Sequence, residues 1–237
     1  MTAPSREHAL ANWASREMVG YLRVGTVMAV HKKGQEPTIF DVCRDCNHGV
    51  LGPLDEAAKR WWVASDRATK PIVPAPQGML ARWLGKVVYN VQRIEQREHG
   101  SIFGPPVSDP MRAWITGKAH SGGQITAWAS VFPADHEGAN DSGVAGTDDR
   151  PDRPVWMIGL HRFFFCVAWD HPPGNGFAKS VEAESCRNLP AVALDVDDAD
   201  PASITVPTLR DPDSVSQALY RGAEQARADF RAAENGP

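Results

Sequence analysis

No stretch of this sequence is apolar for long enough to cross a membrane; the best candidate, VWMIGLHRFFFCVAWD, is interrupted by His161 and Arg162. A basic flank leading into an apolar stretch is missing from MTAPSREHALANW, so the N-terminus does not read as a secretory signal and a cytoplasmic address is the expectation. Cysteine is scarce. Four in 237 residues, with no export signal, argue against a disulfide framework and favour metal binding or buried thiols. An excess of positive charge is absent too: the formal net charge is −4, so any grip on nucleic acid has to come from local basic patches. No internal repeat signals a solenoid or propeller.

What is present fits a folded chain. Hydrophobic residues make up 42% and charged residues 23%, too apolar for wholesale disorder. The length allows one larger domain or two small ones, and two are expected, 1–66 and 76–237, on either side of the proline-rich break TKPIVPAPQG. The fold class reads as α+β. MVGYLRVGTVMAV and TIFDV have strand character on either side of the polar loop HKKGQEP, and GPLDEAAKRWWVAS has the composition and charge order of a helix. In MLARWLGKVVYNVQRIEQREHG, Leu80, Leu84, Val87, Val88, Val91 and Ile94 recur at helical spacing, the clearest helix in the chain. DPMRAWITGK suggests a short helix, QITAWASVF a strand, and VWMIGLHRFFFCVAW a buried strand pair turning near Gly159 to Arg162. PADHEGANDSGVAGTDDRPDRP is acidic and rich in Gly and Pro, and reads as a long mobile loop. After it, DPDSVSQALYRGAEQARADFRAAENG reads as a C-terminal helix.

The chemistry-bearing stretch is DVCRDCNHGVL, a C-x-x-C knuckle where a strand hands over to a helix. Two thiolates supply half of a tetrahedral zinc site, and no second C-x-x-C follows; Cys166 and Cys186 are single and distant. Well before the knuckle stands REHALANW, with Glu7 and His8 adjacent. An acid beside a histidine offers a hard-cation ligand and a proton acceptor, and the Asn47 carbonyl oxygen can serve the same cation. Lys32 and Lys33, on the loop between the strands, are the best local phosphate contact, although a solvated turn is the readier explanation of them. Trp61 and Trp62 could stack on bases or fill the core.

On these residues, EHALANW and VCRDCNHGVLGPLDEAAK, the chain resembles the HNH or ββα-metal endonucleases, in the branch where an E-H or D-H pair precedes a C-x-x-C-N-x-G knuckle. The resemblance covers Glu7 to about Lys59. It implies an N-terminal ββα-metal module followed by a mixed helix-plus-antiparallel-sheet region. It further implies Glu7 and Asn47 as ligands of catalytic Mg²⁺ or Mn²⁺, His8 as the general base, and nucleic acid, with DNA the expected form, as the partner. The three side chains are then expected to converge. A neutral imidazole can take a proton from water near neutral pH, and a divalent cation stabilises charge on the phosphate.

The sequence departs from that branch in two respects. The earlier C-x-x-C that would complete a four-cysteine zinc site is lacking upstream of Glu7, so Cys43 and Cys46 form an incomplete site, expected to hold structural Zn²⁺ weakly or to borrow His31 or His48. His48, Val50 and Gly52 also depart from the branch's usual residues. Two other readings stay open: a catalytically impaired HNH-like binding or interaction protein, and a chance resemblance in a protein whose ligand sits in the aromatic C-terminal half, near His161, Asp170 and His171.

Overall fold

The computed structural model describes residues 4–8, 22–24, 27–28, 38–66, 71–73, 76–99, 107–133, 135–136, 142–146, 155–160, 162–170, 174–188, 190–199 and 202–213. Of these, 4–8, 22–24, 27–28, 38–41, 66, 95, 98–99, 142–146 and 183–188 are described by their backbone alone. The strands are β1 (Pro4–His8), β2 (Leu22–Val24), β3 (Val27–Met28), β4 (Thr38–Cys43), β5 (Ile72–Val73), β6 (Ile125–Val131), β7 (Ser142–Gly146), β8 (Val155–Leu160), β9 (Phe163–Trp169), β10 (Val192–Ala193) and β11 (Ile204–Thr205). The helices are a single turn, α1 (Arg44–Cys46), then α2 (Gly52–Asp66), α3 (Gln77–His99), α4 (Asp109–Ile115) and α5 (Phe177–Asn188); a π-helical turn, Asn47–Leu51, joins α1 to α2. The class is mixed α and β, as expected. No described helix is long and apolar enough to cross a membrane.

The centre is a seven-stranded sheet in the order β10-β6-β9-β8-β7-β2-β3. Its pairs are antiparallel except β2 with β7, which run parallel from Leu22↔Ser142 to Val24↔Val144. Both faces of the middle strands are covered, which explains why FFFCVAW is apolar at every position rather than at alternate ones. Phe163, Phe165, Val167 and Trp169 of β9 join Trp156 and Ile158 of β8 against α2 and α3. The alternate residues Phe164, Cys166 and Ala168 pack with Trp128, Phe132 and Leu209 on the other face, beside Val181 of α5. The strand pair expected near Gly159 is the β8–β9 hairpin, with Leu160 opposite Phe163.

The predicted loop 133–154 contains a strand. Ser142–Gly146 is β7, held by β8 on one side and β2 on the other. Its sequence, SGVAG, has no apolar alternation to announce it; backbone hydrogen bonds from two neighbours supply the stability instead. The proline break likewise holds β5, which pairs with β11 through Val73↔Ile204. Of the predicted C-terminal helix only residues up to 213 are described.

Helix α3 carries the expected stripe: Leu80, Leu84, Val87, Val88, Val91 and Ile94 are all buried. Its first turn is tied to a distant acidic loop. Gln77 Nε2 donates to the Ala202 carbonyl at 2.8 Å, Gln77 Oε1 accepts from Asp195 N at 2.9 Å, and Gly78 N donates to Asp198 Oδ1. Among the described residues, Asp198 is the non-glycine residue with a positive φ, 57°, a conformation that aspartate tolerates and that turns its carboxylate onto the helix start. Helix α4 starts at Ser108, whose side chain accepts from Met111 N, with a proline in the first turn.

Candidate functional site

The knuckle sits where β4 ends. Cys43 has extended backbone (φ −66°, ψ 148°) and acts as N-cap of α1, its Sγ accepting from Cys46 N at 3.1 Å. Asn47 then opens the π-helical turn, its carbonyl accepting from Gly52 N, and the chain enters α2 without a break. Helix α2 is fixed to the sheet by Trp61, whose ring stands edge-on to Phe163 at 4.8 Å and Phe165 at 5.4 Å, while its Nε1 donates to the Ile72 carbonyl at 3.2 Å. Ser65 Oγ donates to the same carbonyl at 2.6 Å. Trp61 and Trp62 are 2% and 6% exposed, so both fill the core rather than offering a stacking platform. Burying an indole removes roughly 150–250 Å² from water, enough to hold the knuckle's helix in one place.

Ahead of the knuckle, β1 pairs antiparallel with β4: Pro4 faces Cys43, Ser5 faces Val42, and after a bulge Glu7 faces Ile39 and His8 faces Thr38. The backbone of the Glu7–His8 pair therefore lies at the far end of the ribbon from the knuckle. Thr38 and Cys43 are five residues apart on β4, about 16 Å at about 3.3 Å per residue. The side chains of Glu7 and His8 lie outside the described residues, as do His31, Lys32, Lys33, His161 and His171. Asn47 is half-buried, and His48 is exposed.

Cys43 and Cys46 fit half of a thiolate metal site. They are close enough for their sulfurs to share a hydrogen bond; this bond, then burial, then the neighbouring Cys43 charge push the Cys46 thiol above its ordinary value, and Lys118 pulls the other way. A backbone N–H aimed at Cys43 Sγ is the contact a thiolate ligand uses. Among the described residues no group of three His, Cys, Asp or Glu stands ready to hold a metal ion. Asp170, one of the alternatives near the aromatic strands, caps α5 by accepting from Gly176 N at 2.7 Å and Phe177 N at 2.9 Å, a structural task. Cys166 is a core thiol, 6% exposed, and burial pushes it up to about 12.

The sequence reading passed over the cations beside the knuckle. Lys86, Asn90 and Arg93 of α3 follow one another at helical spacing, forming a polar stripe next to the apolar one, and that periodicity is the signal that could have revealed them. Lys86 is 1% exposed at its side chain, with Nζ 2.7 Å from Asp55 Oδ1 on α2. The Arg93 guanidinium lies over the Tyr89 ring at 5.3 Å, and burial followed by the Arg112 charge lowers its pKa. Arg112, on α4, pairs with Asp109 one turn back.

No protein-family model, curated protein or solved structure matches the chain.

Proposed function

We propose that this chain is a divalent-metal-dependent endonuclease of the HNH type, hydrolysing nucleic-acid phosphodiester bonds. The observation that supports the reading is the element order: the strand carrying Glu7 and His8 pairs with β4, and β4 runs through C-x-x-C-N directly into a helix. In this reading Glu7 and Asn47 hold Mg²⁺ or Mn²⁺, His8 takes the proton from the attacking water, and the loop lysines Lys32 and Lys33 contact the phosphate backbone. The ion supplies Lewis acidity to the phosphate oxygens. Cys43 and Cys46 are the remaining half of a structural zinc site that frames the turn.

A second reading, a nucleic-acid-binding protein that keeps the scaffold without cleaving, is favoured by the β1–β4 register, which sets the backbone of Glu7 and His8 apart from Asn47. One experiment separates the two. Supercoiled plasmid is incubated with the full chain and Mg²⁺ or Mn²⁺, and nicking is compared with that of His8→Ala. The enzyme reading expects nicking that falls about 100-fold or more in the variant. Plasmid retention by both proteins with nicking by neither selects the binding protein.

A further inference from the structure

A cavity of about 340 Å³ opens beside the knuckle, between the end of β4, the middle of α3 and the end of α4. Its walls are largely apolar, from Val42, Leu51, Tyr89 and Ile115, yet Lys86, Arg93 and Arg112 also face it, and no aspartate or glutamate is among the described residues lining it. Asp55 answers the charge of Lys86 and Asp109 that of Arg112, both from outside the lining. Burial, and after it the Arg112 charge, lowers the Arg93 pKa. Two guanidinium groups facing one cavity with apolar walls add a local positive potential, and the chemistry that suits them is a doubly charged anion able to receive two planar forks of donors.

A phosphate monoester is such an anion, carrying about −1.5 to −2 near neutral pH, whereas a diester inside a strand carries only −1. The volume stands at the lower end of the roughly 300–1,000 Å³ range of small-ligand pockets, room for one nucleotide and not for a duplex. The apolar walls with Tyr89 suit a flat base. We propose that this cavity is a binding site for a nucleotide bearing a terminal phosphate, with Arg93 and Arg112 on the phosphate and Tyr89, Val42 and Ile115 around the base. The ligand is a free mononucleotide or the phosphorylated end of a single strand. The site needs neither Glu7, His8, Asn47 nor a metal, so it stands or falls apart from the endonuclease reading.

Calorimetry on the full chain in EDTA tests it, with adenosine monophosphate, adenosine, and a single-stranded oligonucleotide with and without a terminal phosphate as probes. The monophosphate is expected to bind about tenfold or more tightly than adenosine, and Arg112→Gln to lose about tenfold or more of that affinity, since hydrogen bonds to a charged phosphate are removed. Arg112 is half-exposed at its side chain, so this variant is expected to fold; Arg93→Lys, which keeps the charge and loses the fork, provides the second reading. Binding of the phosphorylated oligonucleotide but not its unphosphorylated form identifies strand ends as the source. Binding of the monophosphate with neither oligonucleotide identifies a free nucleotide. No heat with any phosphorylated probe at millimolar concentration, adenosine binding as tightly as its monophosphate, or folded arginine variants that bind like the parent would each overturn the proposal.

Discussion

Lys86 Nζ lies 2.7 Å from Asp55 Oδ1, and the same carboxylate oxygen accepts from Trp83 Nε1 at 3.0 Å. One aspartate on the knuckle's helix thus holds an ammonium and an indole of α3. Removing the carboxylate strips a side chain that is 1% exposed of its counter-charge, and breaking one half of such a buried pair costs about 3–5 kcal/mol. Asp55→Ala is expected to lower stability by that amount in urea denaturation. Asp55→Ala combined with Lys86→Met should recover most of the loss; a double variant no better than the single one would show that the charge is not the cause.

Gly78 opens the second prediction. A Cβ there would sit 2.7 Å from Asp198 Oδ2 and 2.8 Å from the Val196 carbonyl, part of it backbone that cannot swing aside. Alanine usually improves a helix, but here the crowding wins, at about 1–3 kcal/mol. Thermal melting of Gly78→Ala should show the loss. Gly49→Ala, where an added Cβ meets nothing within 4 Å, should melt at or above the parent temperature.

Cys166 makes stability depend on alkaline pH. Its folded-state pKa is raised by burial from 9.0 to about 12, so the native chain keeps the proton while the unfolded chain releases it. Its contribution is fully present below pH 9.0 and is lost as pH rises towards about 12, at up to about 1.4 kcal/mol per pH unit. Urea midpoints of the parent and of Cys166→Ala, measured from pH 8 to pH 11, should converge as pH rises. Parallel curves would contradict it.

The knuckle should be chemically open where Cys166 is closed. Cys46 is exposed and Cys43 half-exposed, so both are expected to react with iodoacetamide in the native state, and Cys166 only after unfolding. Two thiolates without further donors are expected to hold Zn²⁺ weakly, lost on dialysis and undetectable in Cys46→Ser. One zinc per chain surviving dialysis would mean that the site is completed by residues outside those described.

Much of the fold was legible because its signals are local. The apolar stripe of α3, the continuous apolar run of β9 and the short helix α4 are written in neighbouring residues. β7, β10 and β11 are not: their strand character comes from partners far along the chain, and SGVAG resembles a turn until β2 and β8 flank it. No local signal singles out the acidic stretch Asp195 to Asp198; Asp197 accepts from Ser121 N and Oγ at 2.7 and 2.6 Å, and Asp198 caps α3. At the site, the knuckle was visible in its spacing. The cations were not, because Lys86 and Arg93 stand in a helix whose apolar positions account for its burial, and the β1–β4 register depends on a connection of some thirty residues that no local rule sets.

The parallel pairing of β2 with β7 has a consequence for biosynthesis. Leu22 leaves the ribosome 120 residues before Ser142, its partner. At about 5–20 residues per second that is about 6–24 s during which β2 has only the two-residue β3 beside it and no partner on its other side. Such a long-range pairing is slow to form and exposes unsatisfied backbone meanwhile, so the nascent chain is expected to depend on chaperone occupancy of its early segment until β7 emerges.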